Sequence, residues 1–269
     1  MTVDDIDRAT YIYGPAVPLL KGKMTRAHPR SPNILYTPIP SQILQQHPTL
    51  QLYIDFFYVN RMPILHTKSS AVNFVTVQTG HTRSLKSIIK GLDVVLNIYR
   101  KRGFQITNIH ADNEFDLPQL HNHLRPSTLA IYGRDEHVGV IERSTRTIKE
   151  RCRSICHTIP YTKYTKIMTY ALVEHAVYWV NAFPTLHSIQ LSPASIVTGR
   201  PKPNFNNPTI SFGRYALIHA KTTNNMKGRS VPGIALRASN EWGGTISCPS
   251  SLESVYTPTI GQNYRLVTK

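Results

Sequence analysis

Two interleaved rows of residues between Arg134 and Arg153 constrain this chain more than any other feature. Val138, Ile141, Thr145, Ile148, Cys152 and Ile155 recur at steps of three and four, the spacing of a buried helical stripe. Glu142, Arg146, Lys149 and Arg153 recur at similar steps, one residue further round. The pattern predicts a helix that buries one face and carries a carboxylate at the head of a row of cations on the next. A core helix needs only the first row. The second has two readings. Glu142 and Arg146 at i, i+4 stabilise an exposed helix by about 0.2–0.5 kcal/mol, or the row belongs to a site.

Charge bears on that choice. The 269 residues hold 31 Lys and Arg against 15 Asp and Glu, a formal net charge of +16. Such an excess attracts polyanions through the whole field of the molecule. Nucleic acid is the first candidate partner and an anionic membrane surface the second. An apolar fraction of 41% allows a substantial core, and the length suits one large domain with a small appendage. Three cysteines, Cys152, Cys156 and Cys248, are too few for a disulfide scaffold. Cys152 and Cys156 stand one helical turn apart beside His157, which suits either packing or a small metal site. The polar start and the lack of any long apolar run lead us to expect an intracellular protein that does not enter membranes.

Residues 1–49 are punctuated by seven prolines after position 14, and read as an extended arm with one short helix near Asp4–Tyr13. Gly22-Lys23-Met24-Thr25 superficially suggests a phosphate loop, but Val17 stands where the first glycine belongs and no apolar strand precedes it. Lys21, Lys23, Arg26 and Arg30 make the arm basic. His28 and His47 have no cysteine before residue 152 to join them, so a local zinc module is ruled out.

Leu50–Val59 is nearly all apolar and aromatic, the composition of a strand buried on both faces. Asp55 interrupts it. A carboxylate there is costly unless it is hydrogen-bonded, paired or bound to metal. A turn at Asn60–Pro63 leads to short strands over 64–68 and 72–78, an antiparallel meander. Arg83–Arg102 reads as a helix lined by Leu85, Ile88, Leu92, Val95 and Tyr99, with Gly103 at its C-terminal cap. Phe104–His110 is the next strand. The helical crossover makes it parallel to the first.

Asp112 follows that strand, where residues at the carboxyl ends of sheet strands face a common crevice; a strand-ending turn would use Asp there too. Pro118–Leu124 reads as a short helix and Thr128–Tyr132 as a fifth strand. Three acids therefore rise from three elements: Asp55, Asp112 and Glu142. Carboxylates brought together raise one another's pKa unless a cation intervenes. Mg²⁺ or Mn²⁺ are the natural partners of all-oxygen donors, and two such ions form a clamp for in-line displacement at phosphorus.

This arrangement resembles the retroviral-type integrase catalytic core, a ribonuclease H-like fold. Val138-Gly139-Val140-Ile141-Glu142-Arg143 is similar to that family's third-acid segment, and Asp112-Asn113-Glu114-Phe115 to its second. Tyr178-Trp179-Val180-Asn181-Ala182-Phe183-Pro184, with Ser192-Pro193 and Gly199-Arg200-Pro201-Lys202-Pro203, resembles segments after the core in copia-type retrotransposon integrases. The resemblance covers about residues 50–220. It implies an α/β fold with a mixed five-stranded sheet flanked by helices, a catalytic core over 50–205, and a small β-rich module over 206–269. It further implies 3′-end processing and strand transfer of DNA by a multimer. Asp55 would bridge two Mg²⁺ ions, with Asp112 and Glu142 each holding one. Arg143, Arg146, Lys149 and Arg153 would hold DNA, and the work would be nuclear. Two departures stand out. The interval between the second and third acids is short for the family, which makes Glu136 a rival to Glu142, although motif and helix phase both select Glu142. The missing zinc module suggests a divergent lineage or one piece of a polyprotein. The resemblance leaves room for a ribonuclease H-type nuclease or an inactive nucleic-acid-binding remnant.

Beyond Pro160, Lys163–Phe183 is apolar on most sides and reads as a core helix. Phe212–Ala220, Pro232–Arg237 and Gly244–Ser247 read as short strands.

Overall fold

The structure, a computed structural model, describes residues 2–14, 16–23, 36–80, 82–133, 139–160, 163–184, 191–200, 211–219, 226–238 and 246–247. The chain clusters into two compact units, Asn33–Pro203 and a second drawn from Met1–Pro32 with Asn204–Lys269.

The larger unit is built on a five-stranded sheet with strands β1 (Thr49–Val59), β2 (Met62–Ser69), β3 (Val75–Gln78), β4 (Gln105–Asp112) and β5 (Thr128–Tyr132), in the order β3-β2-β1-β4-β5. β1, β2 and β3 form the expected antiparallel meander. The β1–β2 turn uses left-handed φ at both Asn60 and Arg61 (49° and 64°), whose twist matches that of a hairpin. β4 lies parallel to β1, and β5 parallel to β4. This is the mixed five-stranded, helix-flanked sheet that the sequence led us to expect.

Helix α4 (Leu85–Arg100) crosses from β3 to β4 and buries Ile88, Leu92, Val95, Leu96 and Tyr99. These pack on Leu50, Leu52 and Ile54 of β1 and Ile109 of β4. α5 (Pro118–Leu124) adds Leu120 and Leu124 to that core, and α8 (Pro193–Thr198) adds Ile196 and Val197. α8 ends at Gly199 with φ 70°. There a Cβ would stand 2.9 Å from the Arg102 guanidinium, which donates to the carbonyls of Thr37 (2.8 Å) and Ile196 (3.2 Å). Only glycine satisfies both that backbone and that approach.

On the other face, α6 (Gly139–Thr158) packs on β1 and β2, and α7 (Lys166–Ala182) packs on α6 and β3. β3 is an edge strand, and Asn181 of α7 closes part of its open side. Its Oδ1 accepts from the Val75 N–H (2.9 Å) and its Nδ2 donates to the Val75 carbonyl (2.7 Å). A side-chain amide thereby stands in for a missing strand.

Some expectations are corrected. β1 is buried on both faces only near its end: Leu50, Leu52, Ile54 and Phe56 are buried on one face, whereas on the other Gln51 is exposed, Tyr53 and Asp55 are half-buried and Phe57 is buried. Aromatic content at Tyr53 mimicked a core position. β3 starts only at Val75 because Ala71 and Asn73 take left-handed φ in the preceding turn. Pro63 belongs to β2, opposite Tyr58; β3 does not extend that far, so its missing N–H removes no bond from the β2–β3 ladder.

The described part of the first 49 residues holds three helices where one was expected: α1 (Val3–Tyr13), α2 (Val17–Lys23) and α3 (Ser41–Gln46). Pro18 sits in the first turn of α2, where its missing N–H costs nothing, and Thr2 with Asp5 completes a capping box on α1. α1 and α2 belong to the smaller unit, α3 to the larger. The smaller unit also contains β6 (Tyr215–His219) paired with β7 (Ser230–Ile234), and β8 (Arg237–Ala238) paired with β9 (Ile246–Ser247). The Arg229 N–H bonds the Lys21 carbonyl at 3.0 Å, which ties α2 to the start of β7. No described helix is long and apolar enough to cross a membrane.

Candidate active site

Strand phase places the first two acids. The β1–β4 ladder slips by one residue between Leu50 and Gln51, after which Tyr53 pairs with His110. Asp55 and Asp112 each stand two residues further on, so both point to the α6 face of the sheet. Asp112 is the last residue of β4 rather than the residue after it. It is exposed and caps a single 3₁₀ turn, Asn113–Phe115, without a side-chain bond.

Helix phase places the third. α6 buries Ile141, Ser144, Ile148 and Cys152 against its neighbours. The expected stripe holds at Ile141, Ile148 and Cys152, but Ser144 replaces Thr145 as the buried residue of its turn, and Ile155 is only half-buried. The cause is His66 of β2, fully buried beneath the helix. Its Nδ1 lies 3.0 Å from the Thr145 hydroxyl and its Nε2 3.1 Å from the Ser144 hydroxyl, so both hydroxyls face the ring and the smaller Ser144 is the one buried over it. Burial, aided by the Lys68 charge, pushes the His66 pKa down to about 3. The ring is therefore neutral at ordinary pH and pins α6 to the sheet.

The phase that buries Ser144 turns Glu142, Arg146, Lys149 and Arg153 toward a cleft. Together with Asp55 and Thr145 they line an open space of about 280 Å³. Lys149 also lies over the Phe57 ring, its Nζ 5.7 Å from the centroid. The structure thus brings together Asp55, Glu142, Arg146, Lys149 and Arg153. Arg143 is not in the cleft wall: its Nε donates to the Gly139 carbonyl at 2.9 Å, and its charge acts on Lys68. Glu136 lies outside the described residues.

The acids act on one another. The Asp55 pKa is raised from 3.8 to about 6, first by burial and then by the charges of Asp112, Glu114 and Glu142, against one backbone hydrogen bond from Phe56. Glu114 is a fourth carboxylate that sequence reasoning passed over as a site residue. It pairs with Arg83, whose guanidinium lies 5.9 Å from the centre of the Phe56 ring, itself stacked on Phe115. Thirty-one positions separate Glu114 from Arg83, and no local pattern links them.

Asp55, Asp112, Glu114 and Glu142 offer the hard oxygens that a divalent cation prefers, and the charges of the other three add to burial in raising the Asp55 pKa. Yet among the described residues no three of His, Cys, Asp or Glu stand close enough to hold a metal ion. The expected convergence to a ready cage of three acids is therefore not seen, and the Cys152–Cys156–His157 alternative fails on the same ground. Cys152 is buried on α6, and burial pushes its thiol up to about 12, the behaviour of a packing residue.

No family model and no curated protein matches the chain. Among solved structures, it is similar to the catalytic core domain of BIV integrase, at 17% identity over 55% of this chain and 92% of that one, with a TM-score of 0.43. It is also similar to the HTLV-2 integrase catalytic core domain in complex with magnesium, at 12% identity over 55% and 95%, with a TM-score of 0.41. At this level of likeness the chemistry has to be argued from the chain's own residues.

Proposed function

We propose that this chain is a divalent-metal-dependent polynucleotidyl transferase of the integrase type, acting on DNA phosphodiesters. The observation that carries this reading is the cleft that Asp55 and Glu142 share with Arg146, Lys149 and Arg153. Burial first, and then the charges of Asp112, Glu114 and Glu142, destabilise the half-buried Asp55 carboxylate there. A fold that needed only stability would not place charges so. A site for a cation and a phosphate gains from both halves.

Asp55, Asp112 and Glu142 would hold the cation, Mg²⁺ or Mn²⁺. Bound there, two such ions would activate the nucleophile and stabilise the leaving 3′ oxygen. Arg146, Lys149 and Arg153 would hold the DNA backbone along α6; such contacts position the strand and carry salt dependence rather than sequence preference. Arg143 would contribute only at the rim. The nucleophile is water when an end is trimmed and a DNA 3′-hydroxyl when it is joined to a target. Processing and joining of retrotransposon ends, of copia type, in the nucleus and by a homo-oligomer, is the full form of the proposal. Within the chain, residues 50–205 would be the catalytic core and 206–269 an accessory module.

A second reading is favoured by the lack, among the described residues, of three converged donors: a nucleic-acid-binding descendant without catalysis. Oligonucleotide cleavage and joining assays with Mg²⁺ decide between them. Asp112→Asn should abolish Mg²⁺-dependent joining and leave duplex affinity within about twofold, because the acid touches metal rather than backbone. Joining at the wild-type rate in that variant overturns the transferase. Cleavage without joining by the wild-type chain would instead indicate a ribonuclease H-type nuclease.

A further inference from the structure

We propose that the stacked rings of Tyr53 and His110, with the tilted ring of Tyr132 beside them, form a subsite for an unpaired nucleobase next to Asp55 and Asp112. The proposal rests on DNA being the substrate and extends that reading from the backbone to a base.

The three residues come from β1, β4 and β5. The slipped β1–β4 register sets Tyr53 beside His110, and their rings stack at 4.9 Å with an interplanar angle of 21°. Tyr132 is the register partner of Asp112, so it shares that face; its ring lies 5.5 Å from His110 and its hydroxyl 2.8 Å from His110 Nδ1. The Tyr53 hydroxyl donates to Gln51 Oε1 at 3.3 Å. The layer is thus held by hydrogen bonds at both ends before anything binds.

Rings that served only to fill a core would be covered. These are all half-buried. His110 Nε2 is enclosed and has no hydrogen-bond partner, a cost that an aliphatic residue at this position would not incur. A planar ring is kept there in spite of it.

Two residues along a strand span about 7 Å, roughly the reach from a phosphate to its own base. A phosphodiester at Asp55 and Asp112 would lay the adjoining base on this layer. Bases inside a duplex are already stacked on their neighbours, so an unpaired or frayed base is the form that presents a free face. Such stacking tolerates any base.

The test uses the full chain without metal and a duplex with one unpaired terminal 2-aminopurine. Stacking should quench its fluorescence, and an abasic residue at that position should weaken binding about tenfold. Tyr53→Leu should lose both the quench and the discrimination while binding a blunt duplex as before. Tyr132→Phe, which keeps the ring, should retain both. Equal affinity of the wild-type chain for abasic and base-bearing ends overturns the proposal, as does full quenching by Tyr53→Leu. Because no metal is present, the outcome separates from the transferase reading. A chain that quenches but never joins keeps the subsite and loses the activity; one that joins but is blind to the base does the reverse.

Discussion

The two faces of the five-stranded sheet are built from alternate residues of the same strands, yet they follow different rules. Toward α4, α5 and α8, β1 presents Leu50, Leu52 and Ile54, each at most 1% exposed. Toward α6, it presents Gln51, Tyr53 and Asp55, none of them buried, before Phe57 closes that face beneath Lys149. On the first face most neighbours are apolar, the buried Thr67 and Ser69 of β2 being hydrogen-bonded, and the fold gains from burial. On the second, α6 is held by hydroxyls on a neutral histidine, and four carboxylates repel beside a row of cations. One face is built for stability. The other lines a cleft with charges, one of which, Asp55, is held at a cost to stability.

The largest effect should come from breaking this contrast at adjacent positions. Leu52→Ala removes a fully buried side chain between α4 and the sheet and should cost about 2–5 kcal/mol. Gln51→Ala, one residue away on the other face, should stay within about 0.5 kcal/mol. Urea unfolding of both variants measures the difference. Similar losses at the two sites would mean that the faces are energetically alike.

Much of the first face was legible in the sequence, because burial writes itself as periodicity. The spacing of Leu85, Ile88, Leu92, Val95 and Tyr99 gave α4, and Gly103 its end. The second face was legible only in part. Asp55 stood out as a charge in an apolar strand, and Glu142 through the phase of its helix. Ser144 did not, because its burial depends on His66, a residue 78 positions away. Neither did the ring layer, since a one-residue slip between Leu50 and Gln51 decides that Tyr53 meets His110. Arg83 and Glu114 meet only after α4 and β4 are in place. Contacts of this kind are set by register and crossover, which a single sequence does not encode locally.

His66 offers a sharper test of the second face, with an intermediate effect. Its folded pKa, about 3, lies below its ordinary value near 6.5. The unfolded chain therefore takes up a proton first as pH falls, so stability is intact above about pH 6.5 and drains away toward pH 3. The loss should be about 2–4 kcal/mol. His66→Gln keeps a hydrogen-bonding side chain but does not titrate. It should cost about 1–2 kcal/mol at pH 7 and flatten the decline between pH 6.5 and 4. An unaltered acid limb in that variant would show that other groups drive acid unfolding.

Asp55 should give the smallest effect, and one of opposite sign. Its folded pKa, about 6, lies above its ordinary 3.8, so the folded chain holds the proton longer than the unfolded one. For this group stability is highest below about pH 4 and falls as pH rises through 6, the reverse of His66. The shift corresponds to an upper figure of about 3 kcal/mol; half-exposure lets water screen the charge, and about 1 kcal/mol is the expected cost at neutral pH. Asp55→Asn removes that cost with little change of shape. It should raise Tm by about 2–4 °C at pH 7.5, with the gain gone at pH 4. Millimolar Mg²⁺ should stabilise the wild-type chain and do little for the variant, because the ion and the substitution relieve the same repulsion. A variant no more stable than wild type at pH 7.5 would mean that the carboxylate is already satisfied within the fold, and the energetic case for a cation site would go with it.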